Sequence, residues 1–289
     1  MSGIDLRERE LELRASRQRF VAATVVRAER PTSAKPGDAA LVLADGTLVG
    51  FVGGDCAQAT VQVQALAAME SGEPVLLRIT PDAENAPEET GSITVHNPCL
   101  SGGTLEIFLE PAIPAPLVVI HGDAPIARAV AGLAERVGYD LEAWAGPELP
   151  ADTTAVVVAA HGRGEAEVLL AAVRAGVPYI GLVASARRAM GVLDVLSLSE
   201  RERASIHTPA GLDIGARTPE EVALSILAEI VATRPRVTVR RDTTPPPTTA
   251  VDPVCGMSVA TLDATLHADR DGVRYWFCGS GCLQAFMDQ

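Results

Sequence analysis

The sequence predicts an α/β protein laid out in three segments, and three observations predict it. Two proline-rich stretches, PAIPAP at 111–116 and RRDTTPPPTTA at 240–250, punctuate the chain and leave segments of very different pattern on either side. Between them, apolar strands alternate with alanine-rich helices, which is the signature of a parallel sheet covered by helices on both faces. Beyond the second stretch, three cysteines fall within about forty residues, a length that folds poorly without a staple. The expected layout is a small α+β N-terminal domain over 1–110, a Rossmann-like parallel-sheet domain over 117–235, a Pro/Thr linker over 236–250 and a small C-terminal metal-binding module over 251–289.

The first segment carries strands FVAATVVRA, DAALVLA and TLVGFV, the last two joined by an Asp45-Gly46 hairpin turn. After the third strand come Gly53 and Gly54, then AQATVQVQALAAM, which has the length and alanine content of a helix with Asp55 as its N-cap. Cys56 then sits in the first turn, where unpaired N–H groups and the helix dipole favour a thiolate. A small buried cysteine filling space behind a tight turn accounts for the same residues. VLLRI, a Glu-rich loop from Pro81 to Gly91 and the strand TLEIFLE complete the segment. Cys99 stands just before Gly102 and Gly103, so two cysteines each neighbour a Gly-Gly pair at a strand end, where backbone can approach a ligand closely.

The second segment reads LVVIHG, APIARAVAGLAERVG, YDLEAW, TAVVVAA, GEAEVLLAAVRAG and VPYIGLVAS, with further helices after it. A dinucleotide-binding fold carries its glycine fingerprint at the first of these turns. Here the turn is Gly122-Asp-Ala124-Pro-Ile-Ala127, in which Asp123 puts a carboxylate where a pyrophosphate would sit, and DLEAW ends without an acid to hold a ribose. Both features argue against NAD(P). Thr218-Pro219-Glu220-Glu221 is a capping box, and the helix after it is expected to bury Val222, Leu224, Ile226, Leu227 and Ile230. His207 and Asp213 lie in the loop before it, at the expected carboxyl edge of the sheet where such folds place ligands. A structural role for the loop histidine is the competing account.

In the third segment Cys278 and Cys282 open a short helix, so both thiolates can face one ion. Cys255 supplies a third ligand, and His267 is the expected fourth, with water as its substitute. Three soft ligands suit zinc or copper(I).

Composition bounds the function. Hydrophobic residues make up 47% of the 289 and aromatics only 3%, so the cores are aliphatic. A formal charge of −13 argues against nucleic acid, whose phosphates need a basic face. No run of 18 apolar residues is present, so no membrane span is expected. The N-terminal MSGIDLRERELELRAS is a charged amphipathic helix lacking the apolar core of a signal peptide, and a cytoplasmic location is expected. Five cysteines in such a chain read as metal ligands or reactive thiols and not as a disulfide framework.

GFVGGDC, the CLSGG-to-strand turn and HTPAGLDIGARTPEEVALSILAEI together resemble the XdhC/CoxI family over roughly residues 15–235. DPVCGM…YWFCGSGC resembles the YHS domain, a small metal-binding module, over 251–289. The first resemblance implies a maturation factor for molybdenum hydroxylases such as xanthine dehydrogenase and carbon monoxide dehydrogenase. Such factors bind molybdopterin-type cofactor transiently, protect it during sulfuration and help insert it into the apo-hydroxylase. It implies cofactor contacts at Gly53, Gly54, Cys56, Cys99, Gly102, Gly103, Gly122, His207 and Asp213. Implied partners are the apo-hydroxylase, a cysteine desulfurase and a second copy of the chain. The family usually shows Gly-Gly-Gly-Cys followed by Val-Glu; here Asp55 replaces the third glycine and Ala57-Gln58 the following pair. Gly122-Asp-Ala-Pro stands where many relatives have Gly-Ala-Gly-His, which is similar to the carbon monoxide dehydrogenase branch. Two other classes stay open: an NAD(P)-dependent oxidoreductase, and a metal-trafficking protein acting through the C-terminal module.

Overall fold

A computed structural model describes residues 3–82, 91–97, 103–234, 248–263 and 265–288. The chain divides into two compact units, one formed by Met1–Pro114 with Val237–Gln289 and the other by Ala115–Arg236.

In the first unit, α1 (Gly3–Ala15) precedes a six-stranded sheet of β1 (Phe20–Glu29), β2 (Ala39–Leu43), β3 (Leu48–Gly50), β4 (Val75–Thr80), β5 (Ser92–His96) and β6 (Thr104–Ala112), in the order β3-β2-β1-β6-β4-β5. Each neighbouring pair is antiparallel except β4 with β5. The Asp45-Gly46 turn forms as expected, with Gly46 at φ +81° and the Asp45 carboxylate accepting from the Thr47 amide at 2.9 Å. Between β3 and β4 runs α2 (Asp55–Ser71). Its residues Ala57, Val61, Ala65 and Met69, spaced by four, face the sheet and join Val21, Ala23, Val25, Leu77, Ile79, Ile107 and Leu109 in one core.

The second unit is a five-stranded sheet of β7 (Leu117–His121), β8 (Asp140–Ala143), β9 (Thr153–Val158), β10 (Tyr179–Leu182) and β11 (Ile206–His207). Its order, β11-β10-β9-β7-β8, is parallel throughout, and the direction of winding reverses between β7 and β9. Helices α3 (Pro125–Ala134), α4 (Glu165–Arg174), α5 (Ala186–Asp194) and α6 (Glu200–Ala204) lie between the strands, and α7 (Pro219–Thr233) follows β11. Two aliphatic cores result, as expected of strands buried on both faces. One holds Val118, Val157 and Tyr179 against Val130 of α3 and Ile226 of α7; the other holds Val119, Val156, Ile180 and Leu182 against Val168 and Leu169 of α4 and Ala189 of α5. The Thr218 capping box forms, with the Thr218 hydroxyl accepting from the Glu221 amide and the Glu221 carboxylate accepting from the Thr218 amide. One expectation fails: Leu224 is 56% exposed, and Ala223 takes its place in the core. The helical period explains this, because 223, 226, 227 and 230 share a face that excludes 224.

The C-terminal module consists of the ribbon β12 (Thr249–Val251) with β13 (Ser258–Ala260), the ribbon β14 (His267–Arg270) with β15 (Val273–Trp276), and α8 (Ser280–Met287). Although a Pro/Thr-rich stretch precedes it in the sequence, the module packs onto α2 within the first unit. Ala59 meets Met257, Val259 and Cys278, while Val63 and Leu66 meet Ala260 and Leu262. Helix α2 is apolar on two faces, one for its own sheet and one for the module, and the second face supplies apolar cover that forty residues cannot supply for themselves.

Candidate metal and cofactor site

The β3–α2 turn places Cys56. Gly53 takes φ +140°, a conformation L side chains rarely adopt, and Gln58 donates its side-chain amide to the Gly53 carbonyl at 2.9 Å. The helix begins one residue earlier than expected: Gly54 is the N-cap, Asp55 is the first helical residue, and no side chain caps the end. Cys56 is therefore the second helical residue and half-buried, with its sulfur turned to the module.

In the module, Asp252 is fully buried and organises the chain around it. Its Oδ1 accepts from the Val254 amide at 2.9 Å and from the Cys255 amide at 3.4 Å, and its Oδ2 accepts from the Cys278 amide at 2.8 Å. Burial by itself raises the Asp252 pKa, but these donors outweigh it and hold the carboxyl below its ordinary range. The backbones of Cys255 and Cys278, 23 residues apart, are thus pinned to one carboxylate. Cys282 follows in the first turn of α8.

These elements bring four thiols together. Cys278 Sγ lies 3.6 Å from Cys255 Sγ, 3.7 Å from Cys282 Sγ and 3.7 Å from Cys56 Sγ. The ligand atoms of Asp252, Cys255, Cys278 and Cys282 all lie within 4.8 Å of one another, a set able to hold a soft cation. Burial and the neighbouring thiols push the Cys278 thiol well above its ordinary range, and burial pushes Cys282 up to about 12. In the absence of a cation these two thiols keep their protons.

His267 is not in this group. It is exposed on β14, where Nδ1 donates to the Thr265 carbonyl at 2.9 Å and the ring lies 5.0 Å from that of Trp276; Asp252 stands among the thiols instead. Cys99 and Gly102 lie outside the described residues. A side chain at Gly103 would collide with the Glu29 and Pro31 carbonyls, so packing at the end of β1 explains that glycine.

Gly122, His207 and Asp213 belong to the second unit. At Gly122, φ is +111° and a side chain would strike the Ala159 carbonyl, so glycine lets β7 and β9 end side by side. Asp123 is engaged by Arg163 at 2.6 Å, and the His121 imidazole donates to the Arg163 carbonyl at 2.7 Å. His207 stacks on Tyr179 and meets Glu229 Oε1 at 3.0 Å, while Glu229 Oε2 accepts from the Tyr179 hydroxyl and the Gly211 amide, each at 2.7 Å. Burial opposes ionisation of Glu229, but these donors prevail and its carboxyl stays below the ordinary range. His207 thus belongs to a network joining β10, β11 and α7. Exposed Asp213 lies on a cavity shared with Arg188, Gly211 and Ser225.

Asp252, Arg163 and Glu229 are the residues that sequence reasoning missed. For Asp252 a signal existed: Asp followed by Pro at 252–253 is a turn opener whose carboxylate accepts backbone N–H groups two residues on.

Fold and site together define an α/β protein with a doubly wound parallel sheet in one unit and a thiol cluster at a helix start in the other. Residues 13–80 match the XdhC and CoxI family, and residues 118–230 match the XdhC Rossmann domain. Among curated proteins, the chain is 29% identical over 220 residues to the uncharacterized protein YqeB of Escherichia coli K12, covering 66% of this chain and 39% of that protein. It is 28% identical over 187 residues to a probable xanthine dehydrogenase component of Bacillus subtilis 168, covering 55% of each. It is 29% identical over 175 residues to the molybdenum cofactor insertion chaperone PaoD of Escherichia coli K12, covering 57% of this chain and 53% of PaoD. The chain spans about half the length of these relatives or less, from 39% to 55%. Among the described residues, no helix is long and apolar enough to cross a membrane.

Proposed function

We propose that this protein is a maturation factor that receives molybdenum cofactor as cargo and delivers it to an apo molybdenum hydroxylase of the xanthine or carbon monoxide dehydrogenase type. One observation carries the reading: Cys56 is presented on a glycine turn at a helix start inside the segment that matches the XdhC and CoxI family. The relative described as a molybdenum cofactor insertion chaperone supports it. In this reading the turn offers backbone N–H groups to the anionic cargo, and Cys56 offers a thiol for handling it while the sulfido ligand is installed by sulfur from a cysteine desulfurase. The work is done in the cytoplasm, and a homodimer is compatible with it. The module, similar to a YHS domain, holds zinc or copper(I) through Cys255, Cys278 and Cys282. Its thiol cluster favours a second reading, metal trafficking, in which the module is the working end.

The test is co-expression with an apo-hydroxylase. Cys56→Ser, alone or with Cys99→Ser, abolishes client activation while the circular dichroism spectrum is retained. Full client activity with the double variant would sink the maturation reading. Metal analysis of the full chain, followed by transfer to an apo-acceptor, tests the second reading.

A further inference from the structure

We infer that Cys56, Cys255, Cys278 and Cys282 form one four-thiolate centre for a cation of the zinc class, so that the turn assigned to cofactor and the module assigned to metal share a single site. A tetrahedron with metal–sulfur bonds of about 2.3 Å has edges of about 3.8 Å. The three sulfurs around Cys278 lie at 3.6, 3.7 and 3.7 Å, so each of these spacings is close to such an edge.

The set whose ligand atoms lie within 4.8 Å of one another holds Asp252 and not Cys56, whose sulfur reaches that of Cys278 at 3.7 Å. The chemistry of the two groups nevertheless makes Cys56 the better fourth ligand. The Asp252 carboxylate already accepts three backbone N–H groups, two of them from cysteines of the centre, and acts as a positioning residue for those thiolates. Cys56 comes with a helix start. It occupies the first turn of α2 while Cys282 occupies the first turn of α8, so the positive ends of two helix dipoles point at the cluster. The two ends meet closely: a side chain at Gly279 would run into the Asp55 side chain, and the Ser280 hydroxyl donates to Asp55 Oδ2 at 3.5 Å. Ala59, Met257, Val259 and Trp276 pack around the thiols, giving the centre an apolar shell. A divalent cation entering the cluster displaces the protons of four thiols to solvent and leaves two net negative charges, which the two helix ends offset.

A filled centre ties α2 to the module and commits the Cys56 thiol, so metal occupancy and cofactor handling at Cys56 exclude one another. That consequence rests on the maturation role proposed for Cys56, whereas the four-thiolate centre does not.

The test is X-ray absorption at the zinc edge on the zinc-loaded full chain. Four sulfurs at about 2.3 Å are expected, falling in Cys56→Ser to three sulfurs and one lighter atom. As a second readout on the unaltered chain, alkylation of Cys56 followed by mass spectrometry should be blocked with zinc and restored by a chelator. Three sulfurs plus one oxygen or nitrogen in the unaltered chain, with no change in Cys56→Ser and no zinc protection of Cys56, would overturn the inference and leave the module's own metal site standing. A chain that takes up no zinc would overturn both. Neither result touches the client-activation assay, which judges the maturation reading separately.

Discussion

Two turns in this protein look alike in sequence and behave oppositely. Each runs from a strand through glycine into a helix: β3 to α2 through Gly53 and Gly54, and β7 to α3 through Gly122. At the first, four thiols gather; once ionised they repel, and a cation is what relieves them. At the second, the charge is already answered, because Arg163 meets Asp123 at 2.6 Å. The same holds deeper in that unit, where Arg188 donates to both oxygens of buried Glu165. A helix start is common to both turns and so does not decide the ligand. What decides it is whether the side chains around it have neutralised one another.

The contrast can be broken most sharply at Asp252. If that carboxylate holds the thiolates in place, Asp252→Asn weakens zinc binding by about 10–100-fold, read by competition with a chromophoric chelator. An unchanged affinity would remove Asp252 from the site.

The second unit should answer to proton concentration where the first answers to metal. Glu229 has a folded-state pKa below its ordinary 4.5, so its contribution to stability is complete above that value and is lost as pH falls through the lowered one. Urea unfolding between pH 7 and pH 3 should therefore show a steeper acid limb for the unaltered chain than for Glu229→Gln. At pH 7 the variant should lose about 1–3 kcal/mol, the cost of hydrogen bonds to a charged acceptor. Parallel acid limbs would mean that Glu229 is not the group that titrates.

The smallest effect is expected at the second turn itself. With Asp123 beside the helix start and occupied by Arg163, calorimetry with NADPH should give a dissociation constant of ~1 mM or weaker. Both side chains are exposed, so the pair is worth about 0.2–1 kcal/mol, and Asp123→Ala should tighten binding by no more than about fivefold. Micromolar binding by the unaltered chain would restore the oxidoreductase alternative.

The parts of the molecule that were legible in the sequence are those set by neighbours in the chain. Long apolar runs marked the buried parallel strands, Asp45-Gly46 marked a hairpin, and Thr218-Pro219-Glu220-Glu221 marked a helix start. Short strands escaped: SITVH became β5 and Ile206-His207 became β11, each too brief to show a period and each defined by the strand it pairs with. The three cysteines of the module were legible as a group, but Cys56 was not legible as their neighbour. It is 222 residues from Cys278, and nothing local records a contact of that separation. The apolar second face of α2 was the one available hint, since Ala59, Val63 and Leu66 have no place in a core that already takes Ala57, Val61 and Ala65.

The first unit is discontinuous, with the whole of the second unit encoded between its two parts. Synthesis runs from the N-terminus, and domains fold as they leave the ribosome. The six-stranded sheet and α2 are therefore made first, with Ala59, Val63 and Leu66 still uncovered, and the parallel sheet is translated next. Only when Met257, Val259 and Ala260 emerge does that face of α2 find its cover, and only with Cys278 and Cys282 does Cys56 gain its company. Order of translation thus sets order of chemistry: for most of its birth the nascent chain carries the Cys56 turn without the cysteines that later surround it.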